Sequence, residues 1–179
     1  MANGVNAFSY LIGTLLDLYI TAVMLRLLLQ WVRADFYNPV CQFLVKVTNP
    51  ALVPLRRVIP AIGRLDTAAV VLMLALEVLG VWVVSRIASS PLDPVQVVLF
   101  SVTKLLATLL MTYFFLIIAA VLLSWIGGSL RHPVIPLVYQ LTEPVMRPIR
   151  KVIPPIAGID LSPVFALVGI RFLLLLLGW

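Results

Sequence analysis

Four stretches of the chain are apolar almost without interruption: Phe8–Trp31, Thr67–Ala88, Val95–Ile126 and Leu161–Trp179. Crossing the hydrocarbon of a bilayer takes about 20 mostly apolar residues in a helix. The third stretch exceeds that and should tilt or project, and the fourth only just reaches it. No water is available inside hydrocarbon to satisfy backbone amides, so each stretch is predicted to be a helix. Two further apolar runs, Val40–Val47 and Val134–Leu141, are too short to span and are predicted to lie in the interface or dip into it.

The pattern repeats. Shifting the chain by 94 residues aligns Trp31–Asp66 with Trp125–Asp160 without a gap, and 12 of those 36 positions are identical, among them Trp31, Thr48, Pro50, Pro54, Arg56, Pro60 and Asp66. Tyr19 and Tyr113 also match upstream. Each copy reads as helix, basic proline-rich loop, helix, with residues 1–94 forming the first repeat and 95–179 the second. The expected fold is therefore an all-α membrane protein with four transmembrane helices, built from a parallel two-helix tandem repeat with short interfacial segments in the two loops.

Composition agrees with that reading. Of 179 residues, 63% are hydrophobic and 11% charged, and the mean hydropathy is +1.14; a soluble domain carries about 25% charge. The net charge of +6 is distributed unevenly. Connection 34–66 holds Lys46, Arg56, Arg57 and Arg64, and connection 127–160 holds Arg131, Arg147, Arg150 and Lys151. The first nine residues and the link 89–95 hold no Lys or Arg. Because cytoplasmic loops collect cations, both connections are expected on the cytoplasmic side and both termini outside. Trp31, Trp125, Trp82 and Trp179 fall where interfacial belts would place them. No Lys or Arg precedes the first apolar stretch, so it is expected to remain as a helix rather than be cleaved as a signal peptide.

The connections share a distinctive core, Thr48-Asn49-Pro50 through Pro54, Arg56, Arg57 and Pro60, repeated as Thr142-Glu143-Pro144 through Pro148, Arg150, Lys151 and Pro154. Thr followed two residues later by Pro suggests a helix start. A second Pro four residues on removes another donor, so a short helical turn with an extended exit is expected rather than a long helix. With the Trp at each helix end, Asn38-Pro39 or His132-Pro133 downstream, and Gly158-Ile159-Asp160-Leu161-Ser162-Pro163, the chain resembles the YggT/YlmG family along nearly its whole length. Copy one departs from the pattern at Asp66-Thr67-Ala68, where Ser-Pro is missing. The resemblance implies a small multi-pass protein of the bacterial inner membrane without known catalysis, associated with cell division and envelope organisation, osmotic tolerance, or cytochrome and nucleoid functions in plastids.

Candidate functional residues fall in two groups. Arg56, Arg57, Arg150 and Lys151 are placed to meet anionic headgroups, each worth about 1 kcal/mol, or to dock an acidic or membrane-bound partner. With few interleaved aromatics, the loops are not expected to read nucleic acid. Inside the spans stand Asp17, Arg26, Glu77, Arg86, Lys104 and Arg171. Arg26, Arg86 and Lys104 are expected to snorkel toward headgroups. Glu77 and Arg171 occupy equivalent positions in the two copies, roughly 16 Å beyond the loop aspartates. They are predicted to pair at the midplane, where an unpaired charge is costly. Asp17 is predicted to pair with Lys104 or Arg86. Ala120, Ser124 and Gly128 form a small-residue stripe for close helix packing or a homo-oligomer contact.

Enzymatic chemistry is not expected. The single cysteine, Cys41, matches Ile135 and reads as apolar filler; the single histidine, His132, reads as a polar residue at a helix end. No nucleotide, hydrolase or metalloprotease motif occurs, and no cofactor or metal is implied. The readings left are a scaffold whose basic loops engage lipid and a partner, or a small channel or transport component acting as an oligomer or with a partner.

Overall fold

The computed structural model describes residues 2–63, 65–126, 132–154 and 160–179, with side chains from residue 7 onward. Among them are six helices: α1 (Ala2–Trp31), α2 (Pro39–Val58), α3 (Thr67–Ile87), α4 (Pro94–Ile126), α5 (Val134–Val152) and α6 (Ser162–Leu176). Arg64, Arg131, Gly128 and Gly158-Ile159 lie outside the described residues. The protein is all-helical, and α1, α3 and α4 are each long and apolar enough to cross a membrane. The fourth expected span is shorter than the pattern suggested. α6 has 15 residues, about 22 Å at 1.5 Å per residue. It ends where Gly178 takes φ 82° and the amides of Gly178 and Trp179 return to the carbonyls of Leu175 and Leu174, a glycine-terminated C-cap.

The proline-rich connections differ more from expectation. Thr48 and Thr142 start no helix, and the double prolines stop none: α2 runs through Pro50 and Pro54, and α5 through Pro144 and Pro148. Prolines four apart share one helix face, and in both helices that face is exposed. The carbonyls they leave unbonded therefore face surroundings that can hydrate them. The opposite face is buried, through Cys41, Leu44, Thr48 and Leu52 in α2 and through Leu137, Val138, Leu141, Thr142 and Met146 in α5. Burying one such leucine contributes about 1.5–3 kcal/mol, so the stripe offsets the cost of the prolines. Pro60 and Pro154 do act as stops, each two residues beyond its helix.

The chain divides into two compact units that cut across the sequence copies. Unit 1 comprises residues 1–27 and 43–106, and unit 2 comprises 28–42 and 107–179, so two of the three boundaries fall inside the long helices α1 and α4 and the third near the start of α2. In unit 1, α3 comes close to α1 at Gly80, where a Cβ would stand 3.1 Å from Leu16 Cδ1. The core of unit 2 is Ala107, Ile117, Met146, Ala166, Ile170 and Leu174. Ala120 and Ser124, expected to admit a neighbouring backbone, instead line a groove in unit 2.

Candidate functional site

Each amphipathic helix is tied to the helix that follows it by an arginine–aspartate pair. In the first copy Arg56 donates to Asp66 Oδ2 through Nε (3.1 Å) and Nη2. Asp66 is buried, and its other oxygen accepts from the Ala69 amide, capping α3. In the second copy Arg150 Nε donates to Asp160 Oδ2 at 2.9 Å, and Arg150 Nη1 to Glu143 Oε2 at 2.9 Å. Asp160 Oδ1 accepts from the Ser162 amide at 2.9 Å. Partial burial opposes the Asp160 charge, but the bonds from Arg150 and Ser162 outweigh it and hold its carboxyl below the usual range. A hydroxyl closes the same corner in both copies: Thr67 donates to the Pro60 carbonyl, and Ser162 to that of Ile153 (3.3 Å). Thr67 thus performs in copy one what Ser-Pro provides in copy two.

Arg56 and Arg150, both exposed as their grouping with the surface cations anticipates, thus also tie adjoining helices together. Arg57 and Lys151 are exposed beside them, as are Lys46 and Arg147. Asn38 and His132 both lie ahead of an amphipathic helix and accept from its first turn, from the amides of Val40 (2.9 Å) and Val134 (3.3 Å). Cys41 is fully buried, and burial, with Asp35 second, pushes its thiol pKa up.

Within the spans Asp17 pairs with Lys104 as expected, but Glu77 has a different partner from the one predicted. Glu77, 1% exposed, meets Lys104 and not Arg171: Lys104 Nζ lies 3.0 Å from Glu77 Oε2 and 2.6 Å from Asp17 Oδ1. The depths of two members are matched: Lys104 is ten residues from Pro94 at the start of α4, and Glu77 is ten from Ile87 at the end of α3. At 1.5 Å per residue each is about 15 Å in, so Lys104 is too deep to snorkel and takes two carboxylates instead. Glu77 Oε1 accepts no hydrogen bond from a described residue. Arg171 is exposed on the short α6, and its Nη1 reaches the Trp179 carbonyl at 3.4 Å. That places it near the electronegative end of its own helix. Arg86 lies over the Trp82 ring at 5.7 Å. Arg26 does not reach a headgroup; it is 6% exposed and donates from Nη1 to Thr48 Oγ1 at 2.6 Å. The missed signal was the shared ten-residue offset of Glu77 and Lys104 from the ends of α3 and α4 that the short link joins.

The CCB3/YggT family pattern matches residues 5–87 and again 99–179, one match for each copy. The chain belongs to the CCB3/YggT family. A Vibrio alginolyticus relative described as an uncharacterized protein in the proC 3' region is 43% identical over 97% of this chain and 94% of its own. An uncharacterized Pseudomonas aeruginosa protein is 38% identical over 95% and 88%. The protein named YggT in Escherichia coli K12 is 36% identical over 88% and 82%. No solved structure matches. In this CCB3/YggT chain, then, each copy keeps the arginine–aspartate corner, while Asp17, Arg26, Glu77 and Lys104 have no like-charged counterpart at the 94-residue shift: Met111, Ala120, Arg171 and Tyr10 stand there.

Removing Lys104 strands two carboxylates in an apolar surround. Lys104→Met is expected to destabilise the protein by about 3–5 kcal/mol, read as detergent or thermal unfolding. Adding Glu77→Gln to Lys104→Met should recover a large part of that loss, whereas Arg171→Met should be nearly neutral. A larger loss from Arg171→Met than from Lys104→Met would contradict this pairing.

Proposed function

We propose that this protein is a non-catalytic, multi-pass scaffold of the bacterial inner membrane that holds two basic amphipathic helices against the cytoplasmic leaflet. In this reading α1, α3, α4 and α6 all cross, the residues flanking α6 completing its short span. The connections 34–66 and 127–160 are cytoplasmic and both termini are outside. Eight Lys or Arg in those connections against none in residues 1–9 and 89–95 support the orientation. The observation that carries the proposal is the repeated arginine–aspartate corner, which fixes Arg57 and Lys151 at the same station of each copy. A rigidly held cation loses less freedom on binding than one on a loop. Anionic lipid is the first ligand of this surface, and a membrane or cytoplasmic protein the second. Cell division, envelope organisation and osmotic tolerance are the settings in which such a platform would serve.

The experiment is thermal unfolding in nanodiscs with and without phosphatidylglycerol. At about 1 kcal/mol per cation near an anionic surface, wild type should gain several degrees from the anionic lipid. Neutralising Lys46, Arg57, Arg147 and Lys151 to Gln should remove most of that gain. An equal gain in the neutralised protein would overturn the reading.

A second reading, an ion channel or transport component acting as an oligomer or with a partner, is favoured by the Asp17–Lys104–Glu77 cluster. Two carboxylates on one ammonium leave a net negative charge within the apolar spans, and intramembrane ionisable groups commonly mark ion paths. It predicts proton or cation flux into liposomes that Glu77→Gln abolishes; no flux above empty liposomes from folded protein would count against it.

A further inference from the structure

The two copies differ at one position whose consequence is spatial. In the first copy Arg26 extends from α1 and donates to Thr48 on α2. At the 94-residue shift the second copy has Ala120 on α4 facing Thr142 on α5. Both line a groove of about 710 Å³ within unit 2, bounded by α4, α5 and the start of α6. The volume lies in the range of small-molecule sites, about 300–1,000 Å³. Where the first copy has the Arg26 guanidinium, the second has an alanine that lines this groove.

The groove has an apolar wall and a charged mouth. Ile117, Val121, Met146 and Leu167 are among its apolar lining, and the partly exposed Glu143, Arg150 and Asp160 form the charged part termed the mouth. Two carboxylates against one guanidinium give the mouth an excess negative charge, and Arg150 already donates to both of them. The Thr142 hydroxyl donates to the carbonyls of Val138 and Tyr139 and keeps its acceptor capacity. In the first copy the equivalent acceptor is filled by Arg26. Among the described residues no cationic donor takes the corresponding place at Thr142.

We propose that this groove binds a phospholipid with a primary-amine headgroup. The ammonium takes the place of the Arg26 guanidinium, donating to Thr142, Glu143 or Asp160, and an acyl chain lies along the apolar wall. A lipid fits because the neighbouring outward positions Leu122, Val164 and Phe165 are exposed and apolar, so a chain can enter sideways without crossing water. A purely anionic headgroup would face both carboxylates with the one guanidinium among the described lining residues already occupied. A quaternary ammonium has no N–H to donate. The proposal does not rest on the surface-cation reading, which concerns phosphatidylglycerol at other residues.

The test is native mass spectrometry of purified full-length protein taken from nanodiscs of equimolar phosphatidylethanolamine, phosphatidylglycerol and phosphatidylcholine. Wild type should retain one phosphatidylethanolamine, at about tenfold over either competitor, the ratio that one charge-assisted hydrogen bond supplies. Ala120→Arg rebuilds the first copy's arrangement and should abolish that retention while unfolding at or above the wild-type temperature. Glu143→Gln, at an exposed site, should weaken retention several-fold and serves as the deciding variant if Ala120→Arg does not fold. Equal retention of the three lipids, or undiminished retention in Glu143→Gln, overturns the proposal. So does a photo-crosslinker at Ala120 that captures a protein or a second copy in place of lipid.

Discussion

An amphipathic helix lying beside a transmembrane helix has no intrinsic reason to hold one angle, because its apolar stripe tolerates sliding and its flank is open. In this protein the ambiguity is removed by a charge pair that acts on the corner between the two. Arg56 on α2 and Asp66 at the head of α3, and Arg150 on α5 and Asp160 at the head of α6, each join residues ten apart. The aspartate also accepts from the first turn of the following helix. One carboxylate thus neutralises an arginine and binds the first turn of the next helix, as the N-cap itself in the case of Asp66. Placing an acid at a helix N-terminus is favourable in its own right, so the arrangement has no internal conflict.

The copies share this corner and diverge elsewhere in ways that follow from single residues. The first has Asp17, Arg26 and Glu77 within its apolar helices, with Lys104 from α4 completing the cluster in unit 1. At the equivalent positions the second has Met111, Ala120 and Arg171. Unit 1 is therefore tied by buried polar contacts. Unit 2 packs an apolar core around Ile117, Met146 and Ile170 and leaves a groove where its counterpart has an arginine.

Much of this was legible in the sequence. The bounds of α3 and α4 and the end of α1 fell within one residue of the apolar runs, because inside hydrocarbon every amide must be bonded locally, while α1 begins six residues earlier than its run. The 94-residue repeat was plain from Pro, Trp and Asp alone. The double prolines were misread because propensity is a local quantity: the burial of Leu44 and Leu52, or of Leu141 and Met146, is tertiary and outweighs it. The Glu77 partner was misassigned because repeat equivalence pointed to Arg171. Depth along a helix does not say which face a residue occupies, and Arg171 sits on an exposed face of α6. The roles of Arg56 and Arg150 could have been found from their ten-residue spacing to Asp66 and Asp160, identical in both copies. Their neighbours Arg57 and Lys151 repeat as well, so spacing alone did not separate tie from surface cation.

The account turns on the corner pairs, and amide hydrogen exchange in lipid nanodiscs addresses them directly. Asp66→Asn and Asp160→Asn each remove one corner charge while leaving a side chain able to accept from the helix head. The expected result is selective loss of protection in α2 for the first variant and in α5 for the second, with α1 and α4 exchanging as in wild type. Unchanged exchange in α2 and α5, or loosening spread evenly over all six helices, would contradict it.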